Sequence, residues 1–253
     1  MLKVRVIPTL LWKQFSLVKG EGFNSWRSVG SVLPAIKLYN QRDVDELILV
    51  DITSNKSGNE PDYDSVAEYA RECFVPFTVG GGVNDIQHVQ KLLRAGADKV
   101  CINTSAYQRP ELINEIARRH GAQCVVASID VKKNAGGGWN CYSYSGAHDT
   151  SQEVCMWAKE LENRGAGEIL ITSIDKDGKM QGYDLELISA VTSLVNIPVI
   201  ASGGAGNYEH MIQVIESGAS AVAAASIFHF TEQTPAGAKK ALSEAGVSVR
   251  VGY

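Results

Sequence analysis

The segment Val75-Pro-Phe-Thr-Val-Gly-Gly-Gly (75–82) recurs later in the chain as Ile197-Pro-Val-Ile-Ala-Ser-Gly-Gly (197–204), and this repeat is the strongest indication of the fold. In both copies a short apolar run passes directly into a glycine-rich turn, a pattern typical of a buried strand that leads into a helix. The same offset of 122 positions (203 − 81) carries His88 onto His210. The chain is therefore predicted to consist of two related halves, about residues 1–120 and 121–253.

Eight apolar runs rich in Val and Ile alternate with helix-patterned segments. They cover residues 4–11, 46–51, 75–80, 98–103, 123–130, 168–173, 197–202 and 220–225. Continuous apolar strands separated by helices predict a parallel sheet that helices cover, and eight such units in 253 residues favour a closed (β/α)8 barrel. Because no break in composition marks a boundary, we expect one α/β barrel domain over residues 1–253, made of two half-barrels.

Two longer stretches, 13–30 and 132–150, follow the first and fifth predicted strands. They contain Gly and Ser, and we expect irregular loops there. In a (β/α)8 barrel the loops that follow strands lie on the ligand-binding face. Both stretches are therefore candidates for mobile covers of a bound ligand.

The composition argues against several classes of function. The chain is 45% apolar and 21% charged with a net charge of −4, and no basic run suggests a nucleic-acid partner. No apolar stretch approaches the roughly 18 residues of a membrane span, and we expect a cytoplasmic protein without a membrane partner. The five cysteines show no CxxC spacing, so neither disulfides nor a metal site is expected, and no motif calls for a cofactor.

Two glycine-rich turns are candidates for binding phosphate. Gly80-Gly81-Gly82 follows the third strand and Asn103-Thr104-Ser105 the fourth, while Ser202-Gly203-Gly204 and Ala225-Ser226 repeat this arrangement in the second half. Glycine lets a backbone approach a ligand closely, and amides at the start of a helix point toward an anion. A tight strand-to-helix turn is the alternative for either copy alone. Two copies at one spacing favour a ligand with two phosphates, one bound by each half.

Acidic residues at strand ends form a second candidate set, made up of Asp51, Asp130, Asp175 and Asp177. Any one of them alone could simply cap a helix or form a turn. Asp130 is the strongest functional candidate, because it ends an apolar run and would project into the barrel mouth. Its counterpart in the first half is Leu11, at an offset of 119 positions (130 − 11) that is three residues shorter than in the glycine-rich turns, so half of a possible acid/base pair is missing. Lys19 could contact phosphate, although a single lysine in a loop is often only solvated.

Four charged residues stand near the starts of predicted strands one, two, four and six: Arg5, Glu46, Lys99 and Glu168. Burying a charge beside an apolar run costs desolvation free energy unless the charge is paired. Two cations and two anions could pair in this way around the barrel axis. A purely structural ring of salt bridges and a functional ring are both compatible with this spacing.

These motifs together resemble the cyclase subunit family of imidazole glycerol phosphate synthase, the (β/α)8 protein of histidine biosynthesis. The resemblance covers essentially the whole chain, with collinear blocks at residues 46–53, 78–82, 96–104, 174–178, 200–206 and 225–230. In that family a glutaminase subunit docks at the lower barrel face and releases ammonia, which passes a charged ring to reach a two-phosphate substrate. The resemblance implies that Arg5, Glu46, Lys99 and Glu168 form this ammonia gate.

The resemblance also assigns the ligand site. Gly82, Asn103 and Thr104 would hold one phosphate, and the second would be held by the matching residues of the other half, Gly204, Ala225 and Ser226. Further candidates for contact with the substrate are Lys19, Asp51 and Asp177. Asp130 would be the catalytic residue.

The chain departs from the family at the end of the first strand, which normally reads Cys-Leu-Asp-Val-Lys-Asp-Gly-Arg. Here the segment is Thr-Leu-Leu-Trp-Lys-Gln-Phe-Ser (9–16), with Leu11 in the place of the aspartate that works with the counterpart of Asp130. Loss of an acid/base partner typically costs about 10²–10⁴-fold in rate. Trp12, Phe15 and Trp26 suggest either a mouth reshaped for another ligand or a hydrophobic cover.

Three hypotheses about function follow. In the first, a divergent paralogue receives ammonia from a glutaminase and delivers it to a sugar amidotransferase, for amidation of an N-acetyl sugar in surface-polysaccharide (lipopolysaccharide) biosynthesis. This role is implied by resemblance to divergent relatives only. In the second, the chain is a genuine cyclase subunit of histidine biosynthesis, with another group such as Asp51 or Asp177 replacing the missing carboxylate. In the third, it is a non-catalytic scaffold that binds a phosphorylated ligand and activates its glutaminase partner.

Overall fold

A computed structural model describes residues 3–14, 16–54 and 60–250 of the chain. Its strands in chain order are β1 Arg5–Lys13, β2 Ser16–Glu21, β3 Asn24–Gly30, β4 Leu47–Asp51, β5 Phe77–Gly80, β6 Lys99–Ile102, β7 Val125–Lys133, β8 Trp139–Ser143, β9 His148–Glu153, β10 Glu168–Ser173, β11 Val199–Ser202 and β12 Ala221–Ala224. The helices are α1 Val32–Gln41, α2 Tyr63–Arg71, α3 Ile86–Arg94, α4 Thr104–Gln108, α5 Glu111–His120, α6 Val154–Asn163, α7 Leu185–Thr192, α8 Tyr208–Glu216, α9 Ser226–Phe230 and α10 Pro235–Glu244, and a 3-10 turn spans Ala122–Cys124.

Eight of these strands form a closed parallel barrel in the order β1, β4, β5, β6, β7, β10, β11 and β12. Closure is provided by β12, which pairs in parallel with β1, and by β7, which pairs in parallel with β10. Each of the eight apolar runs coincides with one barrel strand, and helices lie between them. The predicted (β/α)8 barrel is therefore confirmed.

The barrel strands are apolar on both faces because helices cover the outside while side chains fill the inside. In β7, for example, Ala127 and Ile129 pack outward in the core between barrel and helices, and the alternate residues Val126, Ser128 and Asp130 face inward. One layer of the interior is an apolar cluster with a contribution from every barrel strand except β5, formed by Ile7, Ile48, Cys101, Val126, Leu170, Ile200, Ala221 and Ala223.

The described residues of the stretches 13–30 and 132–150 lie largely in strands, so the expectation of irregular loops is wrong. β1 continues into the antiparallel strands β2 and β3, and β7 continues in the same way into β8 and β9. Each half of the chain thus begins with a barrel strand that extends into a three-stranded antiparallel sheet above the barrel. Backbone hydrogen bonds along these strands hold the segments in a defined position over the mouth.

The matched histidines hold the glycine-rich turns in place. Asp85 caps α3 by accepting from the backbone of His88, and Asn207 caps α8 by accepting from the backbone of His210. The ring of His88 lies with Nδ1 at 3.2 Å from the carbonyl oxygen of Gly82. The ring of His210 accepts from the backbone N–H of Gly206 at 3.2 Å. In both halves a histidine on the following helix therefore fixes the glycine-rich turn that precedes it.

Candidate functional site

A cleft opens at the carboxyl ends of the barrel strands and encloses about 1070 Å³, including its open mouth. All eight barrel strands, or the turns directly after them, contribute to its lining. Among the predicted site residues it contains Lys19, Asp51, Asn103, Thr104, Asp130, Asp177, Gly204, Ala225 and Ser226. Gly82 is buried outside the lining, and its neighbour Gly81 faces the cleft instead.

Leu11 and Asp130 occupy matching positions in the two halves. Leu11 is the register partner of Val50 in β4, and Asp130 is the register partner of Thr172 in β10. Val50 and Thr172 are themselves related by the offset of 122 that relates the glycine-rich turns (172 − 50). The first half therefore presents an apolar pair to the mouth where the second half presents a carboxyl and a hydroxyl group.

Asp130 is held so that its carboxyl group can exchange a proton near neutral pH. Burial within the barrel walls, together with the nearby charge of Asp177, raises the pKa of Asp130 from 3.8 to about 7. The side-chain amide of Asn103 donates to Oδ2 of Asp130 at 3.0 Å and fixes the orientation of the carboxyl group. A carboxyl group with such a pKa can act as a general acid or a general base.

Lys19 is buried and paired, not solvated. Its Nζ lies 2.7 Å from Oδ1 of Asp177, and the two side chains are only 5% and 9% exposed. The backbone N–H of Gly22 also donates to the carbonyl oxygen of Asp177 at 3.0 Å. These contacts fasten the β2–β3 pair to the turn after β10. The pKa of His229 on α9 is lowered mainly by burial, and the positive charge of Lys19 lowers it further.

The glycine-rich turns use their glycines in the same way in both halves. Gly81 has a φ of +104° and Gly203 a φ of +88°, values that side chains rarely allow. A Cβ at Gly81 would collide with the carbonyl oxygen of Asp51, and a Cβ at Gly203 would approach that of Ser173 to 2.6 Å. The tight-turn explanation thus accounts for these two glycines, and both turns also face the cleft.

Asp51 forms the turn after β4. Its Oδ1 accepts from the backbone and the hydroxyl group of Thr53 at 2.8 and 2.6 Å, and its Oδ2 accepts from the hydroxyl group of Ser54. The turn-forming alternative considered for strand-end aspartates is therefore realised at Asp51, which also lines the cleft. Asp175 accepts from the backbone of Lys133 at 2.9 Å and does not line the cleft.

At the opposite end of the barrel the four predicted charges form a closed alternating ring. Arg5 contacts Glu46 at 2.8 Å and Glu168 at 3.0 Å, and Lys99 contacts the same two carboxylates at 3.0 and 3.2 Å. Glu46 is 1% exposed and also accepts from the hydroxyl group of Thr78 at 2.7 Å. Burial alone would lower the pKa of Arg5, but Glu168 and Glu46 outweigh it and raise the pKa. The ring and the cleft lie at opposite ends of the barrel, with the apolar interior layer between them.

The aromatic residues of the first half separate into two groups. Trp26 lines the cleft, as does Phe23, which the sequence did not single out. Trp12 does not reach the mouth: it is 6% exposed in the outer core and packs edge-on against Tyr69 with ring centroids 5.6 Å apart. Both expectations for Trp12, a reshaped mouth and a hydrophobic cover, are wrong, because Trp12 follows the inward-facing Leu11 and side chains of a strand alternate between faces. Phe15 lies outside the described residues.

Several polar atoms in the cleft lack a hydrogen-bond partner within residues 3–14, 16–54 and 60–250. They are Thr9 Oγ1, Asn103 Oδ1, Asp177 Oδ2 and Ser226 Oγ, and all four are buried. Buried polar atoms are normally paired, so unpaired ones in a cleft indicate groups available to a ligand. Thr9 is not among the site residues predicted from the sequence, although it stands two residues before Leu11 on the same face of β1.

In the described part of the chain no group of three His, Cys, Asp or Glu side chains is arranged to hold a metal ion. Among the helices described, none is long and apolar enough to cross a membrane.

The fold and the cleft together define a (β/α)8 barrel with a ligand site at the carboxyl ends of its strands. A family described as "Histidine biosynthesis protein" matches residues 5–234, and the chain belongs to that family. The family resemblance predicted from the sequence motifs is thereby confirmed.

Similar proteins extend over the whole chain. A relative from Streptococcus mutans is 45% identical over 251 residues, which cover 99% of this chain and all of the relative. One from Caulobacter vibrioides is 47% identical over 253 residues, covering 99% of this chain and 97% of the relative. One from Dictyoglomus thermophilum is 46% identical over 251 residues, covering 99% and 100%. Each of the three is named imidazole glycerol phosphate synthase subunit HisF.

Proposed function

We propose that this chain is a barrel subunit of the imidazole glycerol phosphate synthase type, which binds a two-phosphate ligand at its mouth and receives ammonia from a glutaminase partner at the ring face. The observation that carries the proposal is the match, over the full chain, to relatives that bear this name. The matched glycine-rich turns in the cleft and the closed charge ring at the opposite end support it.

The first candidate for what the chain does with the ammonia is ring closure in histidine biosynthesis. The names of the relatives favour this candidate over the others. Asp130 would be the proton-transfer group, since its pKa of about 7 allows it to give up or accept a proton at working pH. Asp177 and Asp51 also line the cleft, but Asp177 is paired with Lys19 and Asp51 is committed to its turn.

The second candidate is ammonia delivery by a divergent paralogue that no longer closes the ring efficiently. The observation in its favour is Leu11. It faces the mouth at the position in the first half that corresponds to Asp130 in the second, and its side chain cannot donate or accept a proton. An N-acetyl sugar as final acceptor, and a sugar amidotransferase as third protein, have no support among the named relatives. The charge ring favours ammonia passage over the third hypothesis, a scaffold alone.

The two candidates are separated by a comparison of ring-closure rates. The purified chain and the Caulobacter relative would be assayed side by side with ammonium salt and the two-phosphate histidine intermediate. Rates within about tenfold of each other would establish the first candidate. A rate lower by about 10²–10⁴, the typical cost of a lost acid/base partner, with the ligand still bound, would establish the second.

A matched pair of variants shows whether the carboxylate alone is missing. Leu11→Asp restores a proton-transfer group. Leu11→Asn introduces a polar side chain of nearly the same size as aspartate, but its amide group cannot exchange a proton at neutral pH. If only the carboxylate is missing, Leu11→Asp raises the rate by about 10²-fold or more and Leu11→Asn does not. Equal rates in both variants would show that the rest of the mouth has also diverged.

A further inference from the structure

The two matched histidines hold their glycine-rich turns with opposite hydrogen-bond roles. Nδ1 of His88 lies 3.2 Å from the carbonyl oxygen of Gly82, and a carbonyl oxygen can only accept, so this nitrogen carries a proton and donates. Nδ1 of His210 accepts from the backbone N–H of Gly206 at 3.2 Å, so this nitrogen carries no proton. The first contact therefore persists when the imidazole is protonated, whereas the second exists only while the ring is neutral.

The contact of His210 is linked to the second glycine-rich turn through closely packed glycines. The ring lies against Gly182, where a Cβ would come within 3.6 Å of its Cδ2. The backbone N–H of Gly182 donates to the carbonyl oxygen of Gly204 at 2.9 Å, and a Cβ at Gly204 would collide with the carbonyl oxygen of Gly182. On the other side, the amide of Gln233 donates to the carbonyl oxygen of Gly206 at 2.9 Å. A shift of the His210 ring or of Gly206 therefore acts on Gly204, a candidate phosphate ligand.

The charges around the two rings enlarge this difference. Nε2 of His88 lies 3.9 Å from a carboxylate oxygen of Glu60 and 3.7 Å from one of Asp85, so protonation of His88 gains attraction. Lys91, which is bound to Glu60, offsets part of it. The charged residues on the turns and helices beside His210 are Lys179, Asp184, Glu186, Glu209, Glu232 and Lys239. In the part of the chain that the structure describes, none of these carboxylates forms an ion pair with His210.

We propose that His210 is a positioning residue for the second phosphate-binding turn and works only in its neutral form, so that acidification weakens anion binding in the second half of the barrel and spares the first. Histidine is the side chain whose charge changes between pH 8 and pH 5. In the protonated ring, Nδ1–H would face the N–H of Gly206, and two donors cannot share a hydrogen bond, so the ring or the turn must move. A ligand with two phosphates would then stay bound at the first half and be released at the second. This inference rests on the proposed function in requiring that both turns bind phosphate.

Sulfate is a suitable probe because it stays a dianion between pH 5 and pH 8, whereas a phosphate group takes up a proton in this range. The backbone amide signals of Gly82 and Gly204, followed by nuclear magnetic resonance, report the sulfate affinity of the two turns separately. A change in the net charge of the protein acts on both turns, so the ratio of the two affinities is compared. When pH falls from 8 to 5, we expect the affinity at Gly204 to drop about tenfold relative to that at Gly82, the size expected for one lost hydrogen bond.

A pair of variants assigns this drop to one ring. His210→Asn keeps an acceptor oxygen near the place of Nδ1 but does not titrate, so the ratio of the affinities should no longer depend on pH. His88→Asn is the matched control, and the ratio should fall with pH as it does in the wild type. The chemical shift of the Gly206 amide provides a readout without sulfate: it should follow the protonation of His210 in the wild type and stay constant in His210→Asn.

The outcomes separate this inference from the proposed function. A ratio that does not change with pH in the wild type, or a fall that persists in His210→Asn, would overturn the role of His210 and leave the phosphate turns in place. Absence of sulfate binding at both turns at pH 8 would instead contradict the phosphate sites of the proposed function, and the pH-dependent binding with them.

Discussion

Asp130 faces the mouth with a pKa raised from 3.8 to about 7 by burial and by Asp177. Between these two values the folded chain keeps a proton that the unfolded chain has lost, so the stability contributed by this group is complete below pH 4 and falls as pH rises toward 7. Asp130→Asn removes the cost of ionising this buried carboxyl group. The variant should therefore become more stable relative to the wild type as pH rises, by roughly 1–3 kcal/mol in unfolding free energy from pH 4 to pH 8.

Urea denaturation at the two pH values measures this gain. Asp64→Asn, which alters an exposed aspartate in the first turn of α2, is the control for a generic effect of removing a carboxylate. An Asp130→Asn effect that is the same at both pH values would show that the carboxyl group of Asp130 titrates normally.

The pair formed by Lys19 and Asp177 yields a second prediction. Removal of one partner from a buried ion pair leaves an uncompensated charge, which typically costs about 3–5 kcal/mol. We expect Lys19→Met to destabilise the chain more than the double variant Lys19→Met with Asp177→Asn, because the second change removes the stranded charge. The measurement is a double-mutant cycle on unfolding free energies. Additive effects would mean that the two side chains do not interact in solution.

For single residues, the sequence predicts where a side chain lies in the barrel better than it predicts which side chain it contacts. Leu11 and Asp130 could be matched from the repeat, because strand ends align wherever the flanking motifs align. The partner of Lys19 could not be found, because Asp177 is 158 positions away and the contact depends on how two turns meet above the barrel. Trp12 could have been placed correctly, since strand alternation puts it on the face opposite Leu11.

The glycine-rich turns provide a prediction about whole elements. Gly81→Ala and Gly203→Ala combine an unfavourable φ with a collision against a backbone carbonyl, so each should destabilise the chain by about 2–4 kcal/mol. Gly137→Ala is the matched control, because Gly137 has a φ of +87° but no atom within 4 Å of its would-be Cβ. It should cost only about 1–2 kcal/mol. Thermal unfolding of the three variants compares them, and equal losses would mean that the turns can shift to avoid the collision.

The barrel strands could be predicted from sequence because they are buried on both faces and show as continuous apolar runs. The antiparallel strands β2, β3, β8 and β9 could not. β3 and β9 are largely exposed, so their sequences lack an apolar pattern, and β2 contains Lys19 and Gly20. These strands form because β1 and β7 extend beyond the barrel and offer free edges for pairing.

The charge ring ties together strands that are distant in the sequence, and its contribution should be visible in the stability of the whole molecule. Glu46→Gln leaves Arg5 and Lys99 with one shared carboxylate, so we expect a loss of about 3 kcal/mol in unfolding free energy. Glu60→Gln removes a partner of Lys91 at 2.8 Å on the exposed surface and should have no measurable effect. Similar losses in both variants would show that burial does not distinguish the ring from a surface pair.

The general architecture and the family follow from the sequence because long collinear motifs and an internal repeat restrict the possible folds. The activity does not follow in the same way, since one side chain at position 11 separates the two leading candidates while leaving the barrel intact.

The seam between β1 and β12 has a consequence for how the protein is made. Its register joins Arg5 to Ala221 and Pro8 to Ala224, so one edge of the first strand has no neighbour until the ribosome has added more than two hundred further residues. A nascent chain must therefore keep an apolar strand edge from pairing with other chains during most of its synthesis. The late arrival of β12 makes barrel closure one of the last steps of folding.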